Sequence, residues 1–98
     1  AEIVARRSKE IGALRNAIEA IEAEILLLEG RLPRDEEALI EASRKNDGAA
    51  IRTLSSATTA SRARIEGLFR EMVDLGERLR KAEKAYEEEL GEESSPVR

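Results

Sequence analysis

The chain has 98 residues, of which 39% are charged, with a formal net charge of −4 and only two aromatic side chains, one Phe and one Tyr. So short a chain forms one small domain at most, and its negative balance argues against a uniformly basic nucleic-acid binder, though a local basic patch is allowed. Cysteine and histidine are absent, which excludes disulfides, thiolate metal sites and the usual near-neutral general base.

The first third of the chain carries an apolar heptad repeat. We call its a and d positions the first seam, and they fall on Val4, Arg7, Ile11, Leu14, Ile18, Ile21, Ile25, Leu28 and Leu32. Only Arg7 interrupts the apolar series. This spacing predicts a coiled-coil helix over residues 2–31, because Pro33 would cost a backbone hydrogen bond if it lay deeper in the helix.

The segment around Pro33 is predicted to be a turn that leads into a short helix over residues 35–46. Asp35 is expected to be the N-cap of this helix, with Glu36 and Glu37 at the positive end of its dipole. We expect the short helix to stop near Asn46, where Gly48 can supply a left-handed turn.

A second heptad repeat follows. Its a and d positions, the second seam, fall on Ile51, Leu54, Thr58, Ser61, Ile65, Leu68, Met72, Leu75, Leu79, Ala82 and Tyr86. This pattern predicts a helix over residues 48–90, followed by a disordered tail over residues 91–98. Thr58 and Ser61 place two hydroxyls on the seam, which we interpret as a locally weak layer rather than a functional kink; such a layer can also fix register.

The predicted fold class is all-α: an antiparallel two-helix coiled-coil hairpin over residues 1–90 with a short capping helix at the turn. In the predicted register Ile11 lies near Met72 and Val4 near Leu79, so that the segment after Leu79 extends past the start of the first helix. Heptads specify a seam without saying which chain supplies its other side, so an intermolecular bundle is an open alternative. We expect a monomer or a weak homodimer.

Catalytic motifs are missing from the sequence. It contains no phosphate loop, dinucleotide-binding glycine turn or nucleophile elbow, so we expect no catalytic residues, no metal site and no cofactor in this chain. Glutamates at helical spacing, such as Glu19 and Glu22, are interpreted as a solvated flank of the seam. The longest apolar run is far shorter than the roughly 20 residues that span a bilayer, so no membrane contact is predicted.

Basic residues from both helices are predicted to meet at the open end of the hairpin. They are Arg6, Arg7, Lys9, Arg15, Arg78, Arg80, Lys81 and Lys84. When Glu2, Glu10, Glu77 and Glu83 are set against them, four positive charges remain in excess. This cluster predicts contact with nucleic-acid phosphates, without base stacking because it contains no aromatic ring. The alternative is ordinary coiled-coil surface charge.

The sequence also resembles a known family. The runs Ser8-Lys9-Glu10-Ile11-Gly12-Ala13-Leu14, Ala17–Ile25 and Leu28–Leu32 are similar to the first helix of the C-terminal coiled-coil domain of ABC-F ATPases. The second half is similar as well, through Asp47-Gly48, Ile51, Leu54, Ile65, Leu68-Phe69 and Leu75. Two departures are that Met72 stands where the family commonly has Trp, and that the predicted helix continues well past it.

The resemblance implies a cytoplasmic protein in which two upstream ATP-binding cassettes bind ATP and Mg and carry out hydrolysis. This domain would be an accessory arm that contacts DNA or ribosomal RNA. Because the chain begins with Ala1 rather than Met, we expect it to be a fragment of a longer protein. The rival hypothesis is a structural spacer or dimerisation coiled coil in a scaffold or secretion-associated protein, with no nucleic-acid role.

Overall fold

The computed structural model describes the backbone of residues 2–94 and the side chains of residues 2–92. It contains two long helices, α1 (Glu2–Arg44) and α2 (Gly48–Ser94). They pack against each other as an antiparallel hairpin, which confirms the predicted all-α fold class. Helix α2 begins where expected but continues to Ser94, so the disordered tail predicted from residue 91 is wrong for residues 91–94. Residues 95–98 lie outside the described residues.

Pro33 lies inside α1 and does not end it. The predicted break after residue 31 and the separate capping helix over residues 35–46 are therefore wrong. The first seam continues in step beyond the proline, at Asp35, Leu39 and Ala42, and each of these residues is at least half-buried. Proline in a helix interior costs about 3 kcal/mol, whereas a fully buried leucine contributes about 1.5–3 kcal/mol. Continued burial along the seam thus competes with the helix-breaking tendency, and Asp35 becomes an interior seam residue instead of an N-cap.

The end of α1 is closed by a Schellman motif. Asn46 adopts a left-handed conformation with φ of 55°. The Asp47 amide donates to the Ala42 carbonyl at 3.0 Å, and the Asn46 amide donates to the Ser43 carbonyl at 3.2 Å, which satisfies carbonyls at the helix end. No described glycine has a positive φ, so the prediction that Gly48 supplies the left-handed turn is wrong.

The start of α2 is capped by Asp47. The Ala50 amide donates to Asp47 Oδ1 at 3.1 Å, and the Ile51 amide donates to the Asp47 carbonyl at 2.9 Å. An aspartate at this position satisfies amides that have no partner within the helix. Residues 45–47 therefore end one helix and begin the next.

Contacts divide the hairpin into two packing units. Unit 1 joins the first 20 residues with those from Glu71 onward, and unit 2 is Ile21–Arg70. The core of unit 1 is formed by Ile11, Leu14 and Ala82, which are 6%, 6% and 3% exposed. Three partly buried side chains pack against this core: Leu75, Leu79 and Tyr86.

The register within unit 1 differs from the predicted one. Ile11 packs in the Ala82 cluster, and Arg7 is bonded to Glu89, so the predicted proximity of Ile11 to Met72 is wrong. The segment after Leu79 packs along α1 instead of extending past it. The cause is the position of the connection, because α1 continues through Pro33 and the chain reverses only at residues 45–47.

Unit 2 has a mixed seam. Ile25, Leu28 and Leu68 are buried, and Leu68 has no exposed surface. Thr58 and Ser61 are also buried, at 5% and 7% exposure, as expected for seam positions.

Two ion pairs join the helices beside the seam of unit 2. Arg64 Nε lies 2.8 Å from Glu24 Oε2, and Arg62 Nη2 lies 2.6 Å from Glu36 Oε2. The hydrogen bond from Arg64 lowers the pKa of Glu24 below its ordinary value. These residues occupy positions e and g of the heptads, where coiled coils form interhelical salt bridges.

Candidate nucleic-acid interface

All eight predicted phosphate-contacting residues lie in unit 1. Four come from α1 and four from α2. The antiparallel packing of this unit therefore places both sets in the same half of the hairpin. Three of the eight side chains form ion pairs with carboxylates, and the other five form none with any described residue.

Arg7 is held at the seam. Its guanidinium contacts both oxygens of Glu89, at 3.4 Å from Nε and 3.2 Å from Nη2, and Glu10 Oε1 at 2.8 Å. The hydrogen bonds that Arg7 donates to Glu89 and Glu10 raise its pKa above the ordinary value. With two carboxylates on one partly buried guanidinium, Arg7 has little capacity left for a phosphate.

Two more of the predicted residues form ion pairs. Arg15 Nη2 lies 2.6 Å from Glu83 Oε2 and joins α1 to α2. Arg6 Nη2 lies 3.6 Å from Glu2 Oε1 one turn away on the same helix. Arg6 is highly exposed, and an exposed ion pair within one helix contributes little to stability. Arg15, by contrast, joins α1 to α2 through its contact with Glu83.

The remaining five basic side chains, which we call the outer cations, form no ion pair with any described residue. They are Lys9, Arg78, Arg80, Lys81 and Lys84, and all five are exposed. Lys9 and Lys84 occupy heptad position f, the position farthest from the seam. These side chains can extend to a ligand without breaking a contact that holds the fold.

The predicted local excess of four positive charges is wrong, because the observed register adds acidic residues. Seven further carboxylates belong to the same unit: Glu19, Glu71, Asp74, Glu87, Glu88, Glu89 and Glu92. With the four already counted, the described residues of unit 1 carry eleven acidic side chains against eight basic ones. The second heptad repeat, continued by one step beyond Tyr86, reaches Glu89. The repeat therefore indicates that Glu89 is a seam position, and in the structure it contacts Arg7.

A groove of about 640 Å³ runs beside the Arg15–Glu83 pair. Gly12 on α1 leaves it open, since no atom lies within 4 Å of where a Cβ would stand. Glu83, Glu87 and the half-buried Tyr86 line its other side. Two carboxylates at this groove oppose an anionic ligand, so phosphate contact is better served by the outer cations than by the groove.

Unit 2 also contains exposed basic side chains, and some of them are neutralised. Glu41 Oε2 lies 3.4 Å from Arg44 Nη1, and Glu41 Oε1 lies 3.7 Å from Lys45 Nζ. Arg31, Arg34 and Arg52 are exposed. This group offers cations of matched type in unit 2, well suited as experimental controls.

Among the described residues, 2–94, no three carboxylate, histidine or cysteine side chains come together as metal ligands would. Neither helix of this part of the chain has a stretch both long and apolar enough to cross a membrane.

The fold and seam define an antiparallel coiled-coil hairpin. No protein-family model, curated protein or solved structure matches the chain. The assignment to the ABC-F ATPases stays a prediction that rests on the quoted sequence runs.

Proposed function

We propose that this chain is a non-catalytic coiled-coil arm that contacts the phosphate backbone of DNA or ribosomal RNA. The observation that supports the proposal is the set of outer cations in unit 1, which are exposed and have no carboxylate partner among the described residues. Lysine and arginine that neutralise phosphates supply most of the affinity of sequence-independent binding.

The chemistry favours backbone contact over base readout. The outer cations include no aromatic side chain, and Tyr86 packs against the core of unit 1. Base stacking on an aromatic platform is the usual means by which proteins hold single-stranded bases. Binding by this arm would thus depend on charge and on the shape of the nucleic acid, with little sequence preference.

The wider context of the proposal comes from the family resemblance. In an ABC-F ATPase, ATP and Mg would belong to the two upstream cassettes, and the parent protein would be cytoplasmic. The parent reading frame tests this directly: two upstream phosphate loops would support the family, and a parent without them would contradict it.

The decisive experiment is a salt titration of binding between the chain and duplex DNA, single-stranded DNA and structured RNA. Arg78, Arg80 and Lys81 are replaced together by glutamine. We expect weaker binding, with a slope of log affinity against log salt that is shallower by about three units on duplex DNA, since each phosphate contact contributes about 0.9.

A matched control replaces Arg31, Arg34 and Arg52 by glutamine, which changes the net charge equally but in unit 2. We expect this control to weaken binding less than the triple variant in unit 1 does. Equal weakening by both triple variants would assign binding to net charge alone, and no binding by the wild type at low salt would refute the proposal for the isolated chain. Helicity by circular dichroism checks that both variants fold.

A second candidate function is a structural or dimerisation coiled coil without a nucleic-acid role. Exposed apolar side chains in unit 2 favour it: Leu26, Leu27, Ile40 and Phe69, which are 70%, 64%, 57% and 44% exposed. Sedimentation equilibrium over micromolar concentrations tests it. A concentration-dependent dimer that Leu26→Gln with Leu27→Gln dissociates would favour the dimerisation role, whereas a persistent monomer would contradict that role.

A further inference from the structure

Three polar residues occupy the interhelical seam at one level of unit 2. Thr58 and Ser61 on α2 are 5% and 7% exposed, and Asp35 on α1 continues the first seam. The ion pair between Glu36 and Arg62, at 2.6 Å, brings together the residues that directly follow Asp35 and Ser61. We call Asp35, Thr58 and Ser61 the polar layer.

The polar layer contributes little cohesion between the helices. Asp35 Oδ2 is buried and has no hydrogen-bond partner among the described residues. The Thr58 hydroxyl donates to the Ser55 carbonyl at 3.0 Å, so its bond lies within α2 and does not cross the seam. A buried acceptor without a partner loses its hydration and gains nothing in return, which weakens the packing around it.

Pro33 weakens α1 next to the same layer. Because proline has no amide hydrogen, the helical bond that would join residue 33 to the Glu29 carbonyl is not made. Within one helical turn, the bonding inside α1 and the hydrogen bonding across the seam are therefore both reduced. The Glu36–Arg62 pair beside the layer does join the helices, but both side chains are about half exposed, and exposed pairs contribute little.

The seam between the polar layer and the turn is less buried than the seam on its other side. There Leu39, Ile51 and Leu54 are half-buried, and only Ala42 is fully buried. On the other side of the layer, Ile25, Leu28 and Leu68 are buried, whereas Ile21, Leu32 and Ile65 are half-buried. Half of the seam residues are thus buried on that side, against one of four on the side of the turn.

Helix length adds to the difference. We call residues 36–57 the tip. Its two helical pieces, 36–44 and 48–57, are both shorter than the ~12–15 residues below which isolated helices are marginal in water. A tip that loses its interhelical contacts should lose its helical hydrogen bonds as well.

We propose that the polar layer is a built-in opening point, at which the tip separates and unfolds as one cooperative unit while the seam of Ile25, Leu28 and Leu68 stays packed. Local units of this kind open with free energies below that of global unfolding when they contain few buried apolar contacts. The proposal is independent of the nucleic-acid contact, since it rests on residues of unit 2 alone.

Native-state hydrogen exchange on the full chain tests the opening. We expect the amides of Leu39 and Leu54 to exchange at least about tenfold faster than those of Ile25 and Leu68, with a weaker dependence on urea because less surface is exposed. Equal rates at all four amides, with the same urea dependence, would overturn the proposal.

Substitution of the layer provides the second arm of the test. Asp35→Leu should slow exchange at Leu39 and Leu54 by about tenfold relative to the wild type, because it replaces the unpartnered oxygen with an apolar seam residue. Glu37→Leu, on the exposed face of the same helix, is the matched control and should leave both rates unchanged.

A second variant, in α2, keeps the test valid if Asp35→Leu does not fold. Thr58→Val keeps the shape of the side chain and removes the seam hydroxyl, so a smaller slowing at the same two amides is expected. If neither layer variant slows the tip more than Glu37→Leu does, the polar layer is not the opening point.

Discussion

The two packing units use the same heptad spacing but differ in how they accommodate polar seam residues. In unit 1 the seam includes Arg7 and Glu89, which bind each other. In unit 2 it includes Asp35, whose Oδ2 is buried and accepts no hydrogen bond from any residue that the structure describes. The comparison shows that periodicity determines which residues enter the seam, whereas the pairing of each layer determines how strongly that layer holds.

The largest expected effect concerns the apolar side of unit 2. Leu68 has no exposed surface, so Leu68→Ala should lower the free energy of unfolding by about 2–5 kcal/mol. The same change at Leu27, which is 64% exposed, should stay within about 0.5 kcal/mol. Urea unfolding followed by circular dichroism measures both, and a similar loss at the two positions would show that the seam is not what holds this unit.

Removal of the unpartnered oxygen should have the next largest effect. Asp35→Leu should raise the free energy of unfolding by about 1–3 kcal/mol, because a buried acceptor without a hydrogen bond is replaced by an apolar side chain. Glu37→Leu gains no burial and should change the midpoint little. A loss of stability in Asp35→Leu would mean that the polar layer supports the hairpin, and the contrast between the units would fail.

Glycine substitution separates helix propensity from seam packing. Gly12 in unit 1 and Gly30 in unit 2 lie inside helices, and a Cβ at either position meets no atom within 4 Å. Alanine at each should add about 0.5–1 kcal/mol to the free energy of unfolding. Thermal melts of the two single variants should show similar gains; a gain in only one would indicate that the units differ in more than their seams.

The smallest expected effect is a pH dependence in unit 2. The pKa of Glu24 is lowered from its ordinary value of 4.5 by the bond from Arg64. A carboxyl with a lowered folded-state pKa stabilises the fold above its ordinary pKa and loses that contribution as the pH falls through the lowered value. Thermal melts of Glu24→Gln should therefore lie below the wild type at pH 7 and approach it in strong acid. A difference that stays constant across this range would exclude the charge as its cause.

The sequence predicts the hairpin well, because burial follows the heptads. Each of the predicted seam positions is buried or half-buried. The register depends on where α1 ends. A helix end at Pro33 places the reversal of the chain across residues 33–47, whereas α1 continues to Arg44. Proline tends to end a helix, but here the heptad spacing of the buried positions is the same before and after Pro33, and the helix continues.

The candidate site was predictable only in part. The outer positions of Lys9, Lys81 and Lys84 follow from the heptad, and these side chains are exposed. The neutralisation of Arg15 by Glu83 depends on which residues face each other across the helices, and that depends on the register. Charge counted along the sequence therefore overestimated the basic character of this surface.

The contact between Arg7 and Glu89 has an architectural consequence. These residues are 82 positions apart in the chain and share a hydrogen bond of 3.2 Å, so the polypeptide enters and leaves the hairpin at nearly the same point. A module with adjacent ends can be inserted into a surface loop of a host domain without separating the flanking residues. Arg7 and Glu89 tie the first helical turns of α1 to the last described turns of α2.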